Sequence, residues 1–110
     1  MVIVESKNGV ILRLSDERWR HITTSHLDMV NNKEKLLETV KDPDMILKEV
    51  TDELRAVKFF RRTHLGSKYL VVVYKELSRE EGFIITAYKT SKIRKVIRRG
   101  IIWEKRRLKY

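Results

Sequence analysis

The hydrophobic period of this chain switches at Asp42-Pro43, around the only proline in 110 residues. Proline lacks an amide donor and disfavours the α region in the residue before it, so a helix ends there. Ahead of that point, Trp19, Ile22, His26 and Met29 or Val30 recur at helical spacing, followed by Leu36, Leu37 and Val40. Behind it the period is two. MILKEV (45–50), LRAVKFFRR (54–62), YLVVVYKEL (69–77) and FIITAYK (83–89) read as strands. The third is nearly all apolar and β-branched, which suits a central strand.

The remaining segments fill in the order. VIVE (2–5) and VILRL (10–14) flank Lys7-Asn8-Gly9, a strong hairpin signal. Ser15 is a good N-cap, and Asp16 and Glu17 sit in the first turn, where the helix dipole favours acids. Arg18 stands where a capping box would place Glu. The first helix is expected to run to Asn31-Asn32 and the second from about 33 to 41. A Thr-Asp-Glu turn, a Gly66-Ser67 connection and a Ser-Arg-Glu-Glu-Gly turn join the strands. The tail starts at Thr90-Ser91 with a short helix, 92–98, closed by Gly100. The expected fold is one α+β domain over 1–110. An N-terminal hairpin and two helices pack on one face of a small antiparallel meander, and a short basic C-terminal helix and tail follow. The stretches 2–5 and 45–50 are expected edge strands, open to pairing with another chain.

Composition narrows the function classes. Apolar residues make up 42%, enough for a packed core. No apolar run approaches a membrane span, and the N-terminus lacks a signal pattern, so a cytoplasmic protein without a membrane partner is expected. The chain has no cysteine, which excludes disulfides and a thiol nucleophile. It has no glutamine and only Asn8, Asn31 and Asn32, while charged residues reach 36%, a thermophile-like usage. The net charge is +10, and its placement is lopsided. From Lys89 onward there are ten basic residues against Glu104 alone, a net of +9. The rest carries fifteen basic residues against fourteen acids. The C-terminus therefore reads as a cationic arm for a polyanion, or as a solvated lysine-rich tail. Interleaving with Ile93, Val96, Ile97, Ile102 and Trp103 favours nucleic acid.

The chemistry follows from what is present. His21 and His26 are i, i+5, about 140° apart on a helix, so they do not chelate one metal. The four glycines form no phosphate loop. RNA cleavage needs neither a metal nor a cofactor. The substrate supplies the 2′-hydroxyl, and the protein supplies proton transfer and positive charge for the phosphorane-like transition state. Histidine suits either proton role. His21 shares a polar, cationic face with Arg18 and Ser25 and is slightly favoured as the catalytic residue. His26 lies in line with Trp19, as a boundary histidine or as a second catalytic group. His64 reads as a turn residue beside Arg61, Arg62 and Thr63. On the last meander strand, alternation puts Phe83, Ile85 and Ala87 under the helices and Ile84, Thr86 and Tyr88 on the other face. Lys58, Phe60 and Arg62 share a face that mixes charge with a ring, as single-stranded RNA surfaces do.

The segments LSDERWRHITTSH, LLETVKDPDMI, FFRRT…YLVVVYK and FIITAYKT resemble the phage-type barnase–EndoU–colicin–RelE-like nuclease domains. The likeness spans about Leu14 to Trp103 and is closest at RWRHI and ITAY. After His26, Leu27-Asp28 stands where that group has Pro-Glu. The resemblance implies a small antiparallel sheet with N-terminal helices and metal-independent ribonuclease activity, in toxins often neutralised by a partner protein. By this likeness His21 and His26 match the helix histidines, Arg61 and Arg62 the arginine pair, and Thr86 and Tyr88 the last strand. His21 would be general acid or base, supported by His26. An arginine would hold the phosphate, and Thr86 and Tyr88 would position it. Arg18, Lys58, Phe60, Lys89, Lys92, Arg94, Lys95, Arg98 and Arg99 would bind the RNA backbone and bases. A toxin would come with an acidic antitoxin or immunity protein as partner. Two other readings stand beside the ribonuclease: a nucleic-acid-binding module without chemistry, and an interaction subunit whose tail docks on an acidic partner protein.

Overall fold

The computed structural model describes residues 1–48, 51–63, 66–97 and 100–105, and among these the side chains of 62, 63, 66 and 67 are left aside. The chain is an α+β fold built on one seven-stranded sheet. A hairpin, β1 (Val2–Glu5) and β2 (Ile11–Leu14), turns through Gly9 at φ +83°. Helix α1 (Asp16–Ser25), a 3-10 turn (Leu27–Met29) and helix α2 (Lys33–Lys41) follow. The meander is β3 (Met45–Lys48), β4 (Leu54–Thr63), β5 (Gly66–Ser78) and β6 (Glu81–Thr90). A short helix α3 (Ile93–Ile97) and strand β7 (Ile101–Glu104) close the described chain. Spatial order is β1-β2-β6-β5-β4-β3-β7. Every pairing is antiparallel except β2 with β6, which run parallel through Leu12↔Gly82 and Arg13↔Phe83. Glycine is required there, because a Cβ at position 82 would lie 2.6 Å from both Leu12 Cδ2 and the Lys75 carbonyl. No helix among the described residues is long and apolar enough to cross a membrane.

The sheet carries a core on each face. Under α1 and α2 lie Leu12, Leu14, Ile46, Ala56, Leu70, Val72, Tyr74, Ile84 and Ala87, together with Ile22, Met29, Leu36 and Val40 from the helical layer. The opposite face carries a smaller cluster, Met45, Leu47, Val57 and Val71, covered by Ile93, Val96 and Ile97 of α3. The cross-strand row Met45–Val57–Val71–Tyr88 belongs to this second face. Its neighbour Ile46–Ala56–Val72–Ala87 belongs to the first.

Four expectations are corrected. Helix α1 stops at Ser25, not at Asn31-Asn32. In its last turn Thr23 and Thr24 bond their hydroxyls back to the Trp19 and Arg20 carbonyls, which weakens helix continuation. In the C-terminal segment, residues 101–104 are no free arm: they form β7, which pairs with β3, and Trp103 packs against the main core. For the same reason β3 is not an edge; the edges are β1 and β7. Finally, a bulge shifts the β5–β6 register between Val73↔Thr86 and Tyr74↔Ile84, leaving Ile85 as the extra residue. Alternation restarts there. Ile84 and Ala87 face the helices, Phe83 is exposed, and Thr86 and Tyr88 lie on the second face.

Candidate functional site

The early end of α1 creates the site. Ser15 Oγ accepts from the Arg18 amide at 3.0 Å and starts the helix. His26 ends it, its amide donating to the Ile22 carbonyl at 2.8 Å while its backbone leaves the helical region (φ −132°, ψ 87°). The 3-10 turn then buries Met29 against the core. β2 is short and pairs only with the start of β6, so α1 and the 3-10 turn lie along the rest of β6. His26 is thereby brought to Tyr88, with ring centroids 5.8 Å apart and planes tilted by 36°.

Behind Tyr88 lies Arg55, whose Nη1 donates to the phenol oxygen at 3.5 Å. The register explains the meeting. Arg55 pairs with Val73, which pairs with Thr86, so Arg55 and Thr86 share the second face with Tyr88 one row away. His26, Arg55, Thr86 and Tyr88 are each half-buried. An imidazole, a phenol and a guanidinium thus meet from three elements, with the Thr86 hydroxyl on the same sheet face as Arg55 and Tyr88. That set can move protons and stabilise an anionic centre.

The other expected residues divide between this centre and elsewhere. His21 is exposed on α1 in a shallow cleft with Ser15, Glu17 and Arg18, and it contributes nothing to the Tyr88 contact. Arg61 is exposed near the far end of β4; Arg62 continues that strand, and its side chain is not described. Lys58 and Phe60 face the helices. The Lys58 ammonium bonds the Asp42 carbonyl at 2.7 Å and its carboxylate at 3.0 Å, and lies 3.6 Å from Glu38. Phe60 packs against the main core with Lys35 Nζ 5.5 Å above its ring. Lys89 borders a cleft of about 460 Å³ beside the 3-10 turn, with Asp28, Asn31, Asn32 and Lys35. Burial, then the Lys35 ammonium, hold the Lys89 amine below the usual lysine range, against the pull of Asp28. Lys92, just ahead of α3, and Arg94 and Lys95 on it are exposed. Arg98, Arg99 and His64 lie outside the described residues.

Arg55 and Lys35 were missed by sequence reasoning. The signal for Arg55 was parity: it alternates with Val57 and Phe59, opposite to Lys58 and Phe60, and α2 covers the latter pair. Among the described residues no three His, Asp or Glu side chains converge in a way that could hold a metal ion. No protein-family model matches the chain, and no curated protein or solved structure matches it significantly.

Proposed function

We propose that this chain is a metal-independent endoribonuclease whose reacting centre is His26, Tyr88, Arg55 and Thr86. The observation that carries the reading is the His26–Tyr88 contact with Arg55 donating to the phenol, three side chains far apart in sequence. In the reaction His26 accepts the proton of an RNA 2′-hydroxyl as that oxygen forms a bond to the adjacent phosphorus. The bond from phosphorus to the 5′-oxygen breaks, and that oxygen takes a proton from the Tyr88 phenol. Arg55 offsets the charge that builds on the phosphorane oxygens, and Thr86 donates a further hydrogen bond. The products are a 2′,3′-cyclic phosphate and a 5′-hydroxyl. Proton return from His26 to Tyr88 resets the site.

This reading agrees with the resemblance to the barnase–EndoU–colicin–RelE-like nucleases. With it come the toxin-type role and the neutralising partner that the resemblance implies; the acidic character of that partner and a cytoplasmic setting are proposed from the chain's own charge and sequence. The difference lies in the histidine. His26, rather than His21, takes the proton, because His26 is the one against Tyr88. The exposed cations of α3 favour a second reading, a nucleic-acid-binding module without chemistry.

The test is cleavage of transfer and ribosomal RNA in EDTA, with product ends assayed for cyclic phosphate. His26→Ala and Tyr88→Phe are expected to slow cleavage about 100-fold or more, the usual size of a general acid–base contribution. His21→Ala is expected to stay within a few-fold of the parent. Equal activity of His26→Ala and the parent would exclude this centre. Intact RNA that nonetheless binds tightly would select the binding module.

A further inference from the structure

The aromatic side chains of this protein are sorted by face. On the helical side, lysines sit over three rings: Lys33 over Trp19 at 5.4 Å, Lys35 over Phe60 at 5.5 Å and Lys7 over Trp103 at 5.0 Å. These rings pack against the main core and are only partly exposed. On the second face, Phe59 and Tyr69 stack on each other across β4 and β5, with centroids 4.9 Å apart and planes tilted by 55°. Phe59 is 37% exposed and Tyr69 half-buried. Their row continues to Thr90 on β6, whose hydroxyl accepts from the Lys92 amide at 3.0 Å as the chain enters α3.

This pair adjoins the centre described above. Tyr69 is the diagonal neighbour of Tyr88, since Val71 pairs with Tyr88 and Tyr69 with Thr90. Diagonal neighbours lie about 7–8 Å apart at the backbone, within reach of aromatic side chains. The pair is also held in place. The Phe59 amide donates to the Asp44 carboxylate at 2.8 Å, and the Asp44 amide donates to the Val57 carbonyl at 2.8 Å. A phenylalanine over a third exposed, fixed on a strand beside a basic helix, offers a π-face and neighbouring cations. Lys92, just ahead of the helix, and Arg94 and Lys95 on it are exposed, while Ile93, Val96 and Ile97 pack on the sheet. Such a surface fits an anionic polymer with flat bases: its phosphates meet the cations and its unpaired bases meet the rings. A duplex keeps its bases stacked inside and gives the rings nothing to hold.

The geometry points to the Phe59–Tyr69 pair as a base-stacking platform for single-stranded RNA, which holds the strand so that an adjoining phosphodiester lies at Tyr88. The inference rests on the ribonuclease reading for that phosphodiester, but the stacking is measurable without any cleavage. A short 2′-O-methyl oligouridylate has no free 2′-hydroxyl and cannot be cut by transesterification. Its binding, followed by fluorescence anisotropy, is compared with that of a short RNA duplex, for the parent, Phe59→Leu and His21→Ala. Phe59→Leu keeps an apolar strand residue and removes the ring.

The expected result is a loss of about ten-fold or more in single-strand affinity for Phe59→Leu. Duplex affinity is expected to be unchanged, and His21→Ala, outside the reacting centre, to bind both probes like the parent. Equal losses on both probes, or none, would overturn the platform. So would parent protein that binds neither probe, which would leave the face to a protein partner. If Phe59→Leu does not fold, photo-crosslinking of the parent to an oligouridylate carrying 5-iodouridine decides. Crosslinks on β4 or β5 at Phe59 or Tyr69 support the platform, and crosslinks confined elsewhere overturn it. If the platform holds while transfer and ribosomal RNA stay intact, the nuclease reading alone fails.

Discussion

At the scale of single residues, one buried side-chain polar atom among the described residues has no counterpart. Tyr74 is fully buried on the helical face, and its hydroxyl finds no hydrogen-bond partner among the described residues. Burial pushes the phenol above the ordinary tyrosine range, with the Glu76 carboxylate adding to it. The ring fills space between β5 and the helices, whereas the oxygen contributes only its desolvation cost. An unsatisfied buried hydroxyl costs about 1–3 kcal/mol, and removing it with the ring kept in place costs almost no packing. Tyr74→Phe is therefore expected to raise stability by about 1 kcal/mol in a urea or guanidinium titration, with an unchanged slope. A loss of stability would mean that the hydroxyl has a partner. The same scale shows what the chain pattern conceals. Lys58 and Arg55 look alike in sequence, yet Lys58 is committed to Asp42 and Glu38 whereas Arg55 meets Tyr88. Strand parity separates them, but parity alone does not reveal which face the helices cover.

At the scale of elements, the junction between α2 and β3 is pinned by charge. Asp42 caps the helix C-terminus and receives Lys58 at 3.0 Å and Lys105 at 3.1 Å. Hydrogen bonds from Lys58 and then Lys105 hold its carboxyl below the usual aspartate range, outweighing the small effect of burial. A folded pKa below the unfolded one means that the ionised carboxylate stabilises the fold. This stability is present above the unfolded pKa, about 3.9, and is lost as the pH falls through the folded value. The Asp42 side chain is 57% exposed, so screening keeps the effect to roughly 0.2–1 kcal/mol. Asp42→Asn is expected to unfold at lower denaturant than the parent from about pH 8 down to about pH 5. The two midpoints are expected to converge at more acid pH. A gap that persists in strong acid would assign the role of Asp42 to its shape rather than its charge. The elements themselves were largely legible. The switch at Asp42-Pro43 marks the boundary, α2 falls on Lys33–Lys41 as its spacing predicts, and β4, β5 and β6 follow the period-two runs. The bulge at Ile85 was not legible, because it depends on how β6 fits β5 and has no glycine to announce it. Nor was β7, whose Ile101-Ile102-Trp103 core sits in a stretch dominated by basic residues.

At the scale of the whole molecule, charge and aromatic surface are separable contributions, and their separation can be measured. The net charge of +10 gives any RNA affinity a salt-dependent part. On α3 the apolar residues hold the sheet while Arg94, Lys95 and the preceding Lys92 are exposed, so these cations can be removed without emptying the second core. Each phosphate neutralised on a single strand contributes about −0.7 to the slope of log affinity against log salt. Replacing all three with Gln is expected to make that slope shallower by about 2 for the 2′-O-methyl oligouridylate, with the unfolding midpoint held. Phe59→Leu is expected to do the reverse: a lower affinity at every salt concentration and an unchanged slope, since stacking on a ring releases no counterions. A shallower slope from Phe59→Leu would mean that the ring positions cations rather than bases. An unchanged slope from the triple variant would move the phosphate contacts off α3, with Lys35 and Lys89 beside the 3-10 turn as the next group to vary.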